Sequence, residues 1–334
     1  MRASLKALLG LGGAVALQQA LHRRTWQAVD PLVSELGGSE SWHETPYGTV
    51  FYTVRGEGPS LLLLHGIYAG ASSFEWRATF AALSERFRVY AVDLLGFGKS
   101  EKPDVAYSAE LMEAVIEDFV RHVPACGTLA IASSLTAAYC VNLSAHHPEL
   151  FGGLVLVNPT GILTLADPPG PRAKRLHQLI SAPVIGEAFY DAVASHASIR
   201  YYLEEKTYFN PRLVTDAMVR RYWTSAHQKG SPHAARAFVS GLLNRGIHDS
   251  LPKVQTSLGI VWGAQNGYQN LLQEAEAFAK LSPRALSRVL ENCGGLPQDE
   301  EPQTFNRFVL DFFEAIPAIA LTDAEPQGWE DGGL

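Results

Sequence analysis

Short aliphatic runs, each closing on a polar or glycine loop and most followed by a helical stretch, recur along this chain and restrict what it can fold into. They occupy residues 60–64, ending in His65-Gly66; 88–95, containing Asp93 and leading into Gly96-Phe97-Gly98-Lys99-Ser100; 128–133; and 154–158. A run that is apolar at nearly every position reads as a strand buried on both faces. Helical periodicity covers 74–86, 111–123 and 135–146. Residues 49–54 alternate as a half-buried strand would, and Gly56 to Pro59 supply a turn. Strands joined through helices make a mostly parallel sheet with helices on both faces. From 162 to 250 the alternation stops. That stretch is rich in helix formers, aromatics and arginine, is broken by Pro168-Pro169, Pro171, Pro183, Pro211 and Pro232, and offers no strand. Strands resume at 258–262 and 287–291, with helices at 271–281 and 303–315. The expected organisation is an α/β core at 41–161 and 251–315, with a helical cap at 162–250 inserted after the sixth strand. Such a cap covers the carboxyl ends of the strands, where α/β proteins place their sites.

A chain of 334 residues can bury a large core. Its formal charge of -7 argues against nucleic acid as a partner. Cys126, Cys140 and Cys293 are too few and too scattered for a disulfide framework or a zinc cluster, and nothing in the sequence asks for a metal or other cofactor. The N-terminal segment, 1–24, stands apart. Arg2 and Lys6 precede an apolar run at 7–17, and His22, Arg23 and Arg24 follow it. The run is short of the about 20 residues a spanning helix needs. Three readings stay open: a short signal peptide ending near Ala14 and Ala16, a helix lying on an anionic membrane surface, or a helix docked on the domain. The expected location is cytoplasmic, with peripheral membrane contact through 1–24 under the second reading. Residues 316–334 read as a loose acidic tail.

The chemistry concentrates at the strand ends. Ala132-Ser133-Ser134-Leu135-Thr136-Ala137 spans a junction between a buried strand and a helix. Taken in order, His65-Gly66, the Asp93 to Ser100 stretch and the Ser134 junction resemble the α/β-hydrolase superfamily, in its lid-bearing branch, over about 49–315 of the chain. The resemblance implies an eight-stranded, mostly parallel sheet and a nucleophile elbow of the pattern G-x-S-x-G, with Ser134 at the nucleophile position. Ala132 meets the need for a small residue beside the turn, and Thr136 meets it less well. The plainer alternative is that Ser133 and Ser134 only cap the following helix. Also implied is an oxyanion hole from the backbone N–H groups of Ile67 and Leu135, with Tyr68 and Ser133 against the substrate. Gly66 is expected to let the chain turn close to a substrate carbonyl, and the His65 imidazole to tie down loop backbone.

The other two members of the family's triad are absent from their places. The acid should follow Val261-Trp262-Gly263, and Asn266 stands there. An amide can orient an imidazole but cannot stabilise its cation by charge, a loss of about 10⁴ in rate. The histidine should sit in a stretch resembling G-H-x-P-x-x-E-x-P. The chain reads Gly294-Gly295-Leu296-Pro297-Gln298-Asp299-Glu300-Glu301-Pro302, so Gly295 holds its position. Substitute bases are His177, His196, His227, His233 and His248, each more simply a surface or core residue, and Asp299, Glu300 or Glu301, more simply the acidic start of the last helix. Three functions therefore compete: a binder of a small or lipid-like molecule under the cap with weak or no hydrolysis; a serine hydrolase of esters or related acyl compounds with a relocated base; and an interaction module built on the cap. The sequence leaves the oligomeric state open.

Overall fold

The aliphatic runs lie side by side in one sheet. The computed structural model describes residues 18–20, 22, 24–27 and 29–316, so the apolar run at 7–17 and the tail beyond Ile316 lie outside the described residues. Eight strands, β1 (Ser39–Thr45), β2 (Gly48–Arg55), β3 (Ser60–Leu64), β4 (Arg88–Val92), β5 (Thr128–Ser133), β6 (Phe151–Val157), β7 (Ser257–Gly263) and β8 (Leu286–Leu290), are ordered β1-β2-β4-β3-β5-β6-β7-β8. The β1–β2 and β2–β4 pairs are antiparallel and all others parallel. After β3 the chain steps to β4 on one side, then crosses to β5 on the other. The order therefore reverses at the β3–β5 pair, whose carboxyl ends open the crevice where such sheets hold ligands.

Alternation along each strand explains the unbroken aliphatic runs. Leu62, Leu64, Ala130, Ala132, Leu154 and Leu156 face α1 (Ala109–His122) and α2 (Ser134–His146), against Met112, Ile116 and Tyr139. Leu61, Leu63, Leu129, Ile131, Val155 and Val157 face the opposite way, against Trp76, Phe80, Phe305 and Val309. Between β6 and β7 the chain forms the helical cap: α3 (Pro171–Ser181), α4 (Ile185–Val193), α5 (His196–Tyr202), α6 (Asp216–Ala226) and α7 (Pro232–Val239). The chain returns through α8 (Leu271–Leu281) and ends in α9 (Pro302–Glu314). No helix among the described residues is long and apolar enough to cross a membrane.

Two local expectations fail. The helix expected at 74–86 is instead a 3₁₀ turn, Ser73–Trp76, and a separate helical turn, Phe80–Leu83. The break has a cause: the buried Asp93 carboxylate accepts the Ser73 N–H (2.6 Å), and Thr79 closes on the Trp76 carbonyl through both its N–H and its hydroxyl. Asp93 also stops β4 at Val92, three residues short of expectation, because its other oxygen accepts the Lys99 N–H. β1 was not singled out at all. It contains no aliphatic residue and is held by its pairing with β2.

The end of β7 is packed backbone against backbone. A Cβ at Gly263 would land inside van der Waals contact of the Gly294 carbonyl. Gly263→Ala should lower stability by about 1–3 kcal/mol, the usual range for overpacking, seen as a lower urea midpoint. Gly170→Ser, with open space around the new Cβ, should leave the midpoint nearly unchanged.

Candidate active site

The elbow is built by backbone strain. Ser134 sits at φ 53, the left-handed region that a residue with a Cβ avoids, between the last residue of β5 and the first turn of α2. Such strain costs on the order of 1–3 kcal/mol and persists only where the surroundings impose it. Ser133, in the N-cap position, makes no side-chain capping bond, so capping does not explain the pair. Thr136, the less fitting member of the motif, is used: its hydroxyl donates to the His65 carbonyl (2.7 Å) and ties the elbow to the loop after β3.

That loop is fastened from below. The His65 Nδ1 lies 2.7 Å from the Gly66 carbonyl, and Nε2 accepts the Leu94 N–H at 3.0 Å, which leaves the proton on Nδ1. Burial lowers the imidazole's pKa. Behind the loop the fully buried Glu75 accepts the Gly66 N–H (3.0 Å) and the Tyr68 hydroxyl (2.9 Å) on one oxygen, and the Gln298 amide (2.9 Å) on the other. Burial pushes its carboxyl pKa up, against the pull of the Gly66, Ser133 and Tyr68 donors. The role expected of Gly66 needs correction. Its φ is not positive, and a Cβ there would make ordinary contact with Ser133 and Tyr68, so no turn requires the glycine.

Ile67, Tyr68, Ser133, Ser134, Asn266 and Gly295 all line one cavity of about 190 Å³. The sequence positions assigned to the nucleophile, acid and histidine therefore do meet in space. Their present side chains do something else. Asn266 donates to Gln269 (2.9 Å) and accepts the Tyr268 N–H (3.1 Å), closing its own loop. The Gly295 N–H is held by the Thr207 carbonyl of the cap. Asn158, at the end of β6 and itself at φ 43, joins three segments: it accepts the Gly263 N–H (3.0 Å) and donates to the Gly294 (3.2 Å) and Gly295 (2.9 Å) carbonyls.

Among the described residues, no histidine and no charged side chain lines this cavity. The proposed substitute bases are engaged elsewhere: His177 beside Ser240, His196 and His227 stacked on Trp223, His233 beside Asp104. His248 is exposed. Of the acidic trio only Glu301 stands at the start of the last helix, as its N-cap. Asp299 and Glu300 lie in a separate turn, Pro297–Glu300; Asp299 pairs with Arg77 and Tyr208, and Glu300 accepts the Phe209 and Gly294 N–H groups. These carboxylates fasten the cap to the core. A second cavity of about 170 Å³ adjoins under the cap, sharing Tyr68, Tyr202, Leu203 and Phe238 with the first and bounded by apolar residues such as Phe189, Val193 and Ile199. Glu75, Asn158 and Gln269 are functional neighbours that sequence reading missed. Only Glu75, a carboxylate between Phe74 and Trp76, carries a signal that could have drawn notice. Away from the cavities, His43, Asp118 and His122 are close enough to share an ion, though the 2.8 Å bond between His43 and Asp118 accounts for that pair as it stands.

Comparison with known proteins agrees with this fold. The family model described as alpha/beta hydrolase fold matches residues 59–302. A 2-hydroxy-6-oxo-6-(2'-aminophenyl)hexa-2,4-dienoic acid hydrolase from Metapseudomonas resinovorans is 26% identical over 78% of this chain and 86% of its own length. A pimeloyl-[acyl-carrier protein] methyl ester esterase from Vibrio cholerae is 23% identical over 79% of this chain and 97% of its own. Among solved structures, an epoxide hydrolase superposes with a TM-score of 0.70 at 19% identity, covering 84% of this chain and 99% of its own.

The strain at Ser134 has a measurable sign. In an ordinary helix glycine is about 1 kcal/mol worse than alanine. At φ 53 the order should reverse, with Ser134→Gly more stable than Ser134→Ala by about 1 kcal/mol in urea titrations. Equal stabilities would place the elbow in relaxed backbone.

Proposed function

The chain belongs to the α/β-hydrolase-fold family, and we propose that it binds a neutral, lipid-like carbonyl compound under its cap and hydrolyses it weakly or not at all. The observation that carries this reading is the cavity over Ser134, which keeps the elbow but is lined, among the described residues, by neither a histidine nor a charged side chain. A buried charge without a partner is costly, so an uncharged lining favours an uncharged ligand. The polar groups present are hydroxyls and amides, from Ser134, Thr160, Asn266 and Gln269 among others, suited to hydrogen-bonding a carbonyl or ester. The backbone N–H groups of Ile67 and Leu135 are assigned to its oxygen. The adjoining apolar cavity offers room for an alkyl or acyl chain. Without a base the Ser134 hydroxyl remains a poor nucleophile at neutral pH.

Residual acceleration should be what binding and the oxyanion donors provide, roughly 10³–10⁴ over water. With p-nitrophenyl butyrate, turnover should fall far below the usual range of about 1–10³ s⁻¹. A kcat inside that range, abolished by Ser134→Ala, would favour a working hydrolase instead.

The empty positions can be refilled. Gly295 is not at positive φ, and a Cβ there would touch Thr207 at ordinary contact distance, so a larger side chain meets no backbone penalty. Gly295→His should set an imidazole toward Ser134, and Asn266→Asp its charged partner. Each change alone should gain little. The double variant should exceed the product of the singles in kcat/KM for a short-chain ester, because the groups act as a unit. A folded double variant no faster than the parent would show that these loops no longer present side chains to Ser134.

A further inference from the structure

The cap carries a face that its own packing does not use. Along α3 the inward positions are Ala173, His177 and Ile180: Ile180 is buried, Ala173 and His177 are half-buried, and His177 reaches Ser240 beyond the end of α7 (3.4 Å). A flanking stripe, at the i, i+3, i+4, i+7 spacing of one helix face, is Arg172, Arg175, Leu176 and Leu179. The two leucines are 41% and 54% exposed, although an inward apolar stripe already seats the helix. Lys174 is also exposed, on another side of the helix, and α3 holds no acidic residue. Arg172, Lys174 and Arg175 are in no ion pair among the described residues. The nearest acids in sequence are Asp167 before α3 and Glu187 on α4. In a chain of net charge -7 this is a local excess of cations mixed with exposed aliphatic side chains.

The neighbouring elements extend that face. Ile185, at the start of α4, is 53% exposed, and Val239, the last residue of α7, is 44% exposed while also bounding the apolar cavity. α3 packs on both of these helices. The N-terminal segment reaches the same part of the cap: His22 pairs with Asp191 on α4 (2.8 Å), and the Trp26 indole donates to the same carboxylate (3.1 Å). The seventeen residues that precede Gln18 contain, by sequence, Arg2, Lys6 and the apolar run 7–17.

We propose that this face, formed by the outer side of α3 with Ile185 and Val239, docks on an anionic lipid bilayer. Leucines and cations on one exposed helix face match an interface where aliphatic side chains enter the acyl boundary and cations meet phosphate head groups. Val239, exposed and at the same time part of the apolar cavity's lining, would connect the docked face with that cavity. Entry of a lipid-like ligand by that route rests on the function proposed above, whereas docking itself does not.

The test is co-sedimentation of the full chain with vesicles of phosphatidylcholine alone and of phosphatidylcholine mixed with phosphatidylglycerol. Binding should require the anionic lipid and weaken as salt is raised. The combined variant Arg172→Gln, Lys174→Gln, Arg175→Gln should bind on the order of 10²-fold more weakly. Leu176→Ser with Leu179→Ser should also lose affinity, with thermal melts unchanged because these side chains are exposed. No binding to the anionic mixture, equal binding to both vesicle types, or full binding by the triple variant would overturn the proposal. None of these readouts involves Ser134 or its cavity, so docking and ligand binding fail separately.

Discussion

Asn158 is the joint of the sheet's carboxyl edge, because one buried amide satisfies backbone groups from the end of β7 and from the loop after β8 while its own backbone ends β6. Two of those groups, the Gly263 N–H and the Gly294 carbonyl, would otherwise be buried polar atoms without this partner, at a cost of about 1–3 kcal/mol apiece. The spacing of the loops that carry Asn266 and Gly295 is set by this clasp. The elbow is held in a comparable way from the other side, by Thr136 on the His65 carbonyl and by the Asp93 and Glu75 carboxylates under the adjoining turns. A frame of buried hydrogen bonds therefore fixes where the functional positions lie, whatever side chains occupy them.

That division explains what could be read from the sequence. Strands β3 to β7 were legible because a parallel sheet covered on both faces demands aliphatic residues at nearly every position. Ser134, Asn266 and Gly295 were legible because their neighbours, Gly263, Pro297 and Pro302, keep their spacing. β1 was not, since an edge strand with exposed faces needs no apolar pattern. The helix expected at 74–86 looked periodic only because Phe74, Trp76, Phe80 and Leu83 are all buried, and burial alone does not separate a helix from two turns locked by a distant carboxylate. Asn158 and Glu75 left little trace, because their roles come from partners more than a hundred residues away in one case and from donors on the Gly66–Tyr68 loop and Gln298 in the other.

The carboxylates beside the missing histidine show how tertiary context redirects chemistry. Asp299 and Glu300 are near Gly295 in sequence and are used as struts between core and cap, through Arg77, Tyr208 and the Phe209 N–H. The cap is thus anchored by charge to the core, while the exposed face of α3 carries leucines and cations that are in no ion pair among the described residues. Its two faces are chemically distinct, and the apolar cavity lies between them.

The two cavities share Tyr68, Tyr202, Leu203 and Phe238, and this shared wall bears on time rather than affinity. A molecule with its carbonyl over Ser134 and its chain in the apolar chamber must thread between these four side chains. Tyr68 is braced by Glu75, and Tyr202 packs against Tyr268 at a ring separation of 5.1 Å, so neither ring turns freely. Withdrawal of the chain then waits on coordinated rotation of packed aromatics, which is slower than the ps–ns flips of exposed side chains. Differences in residence time among ligands of different chain length would arise mainly in the dissociation rate. Under the proposed function, such a wall would favour long retention of an occupant over rapid exchange with solvent.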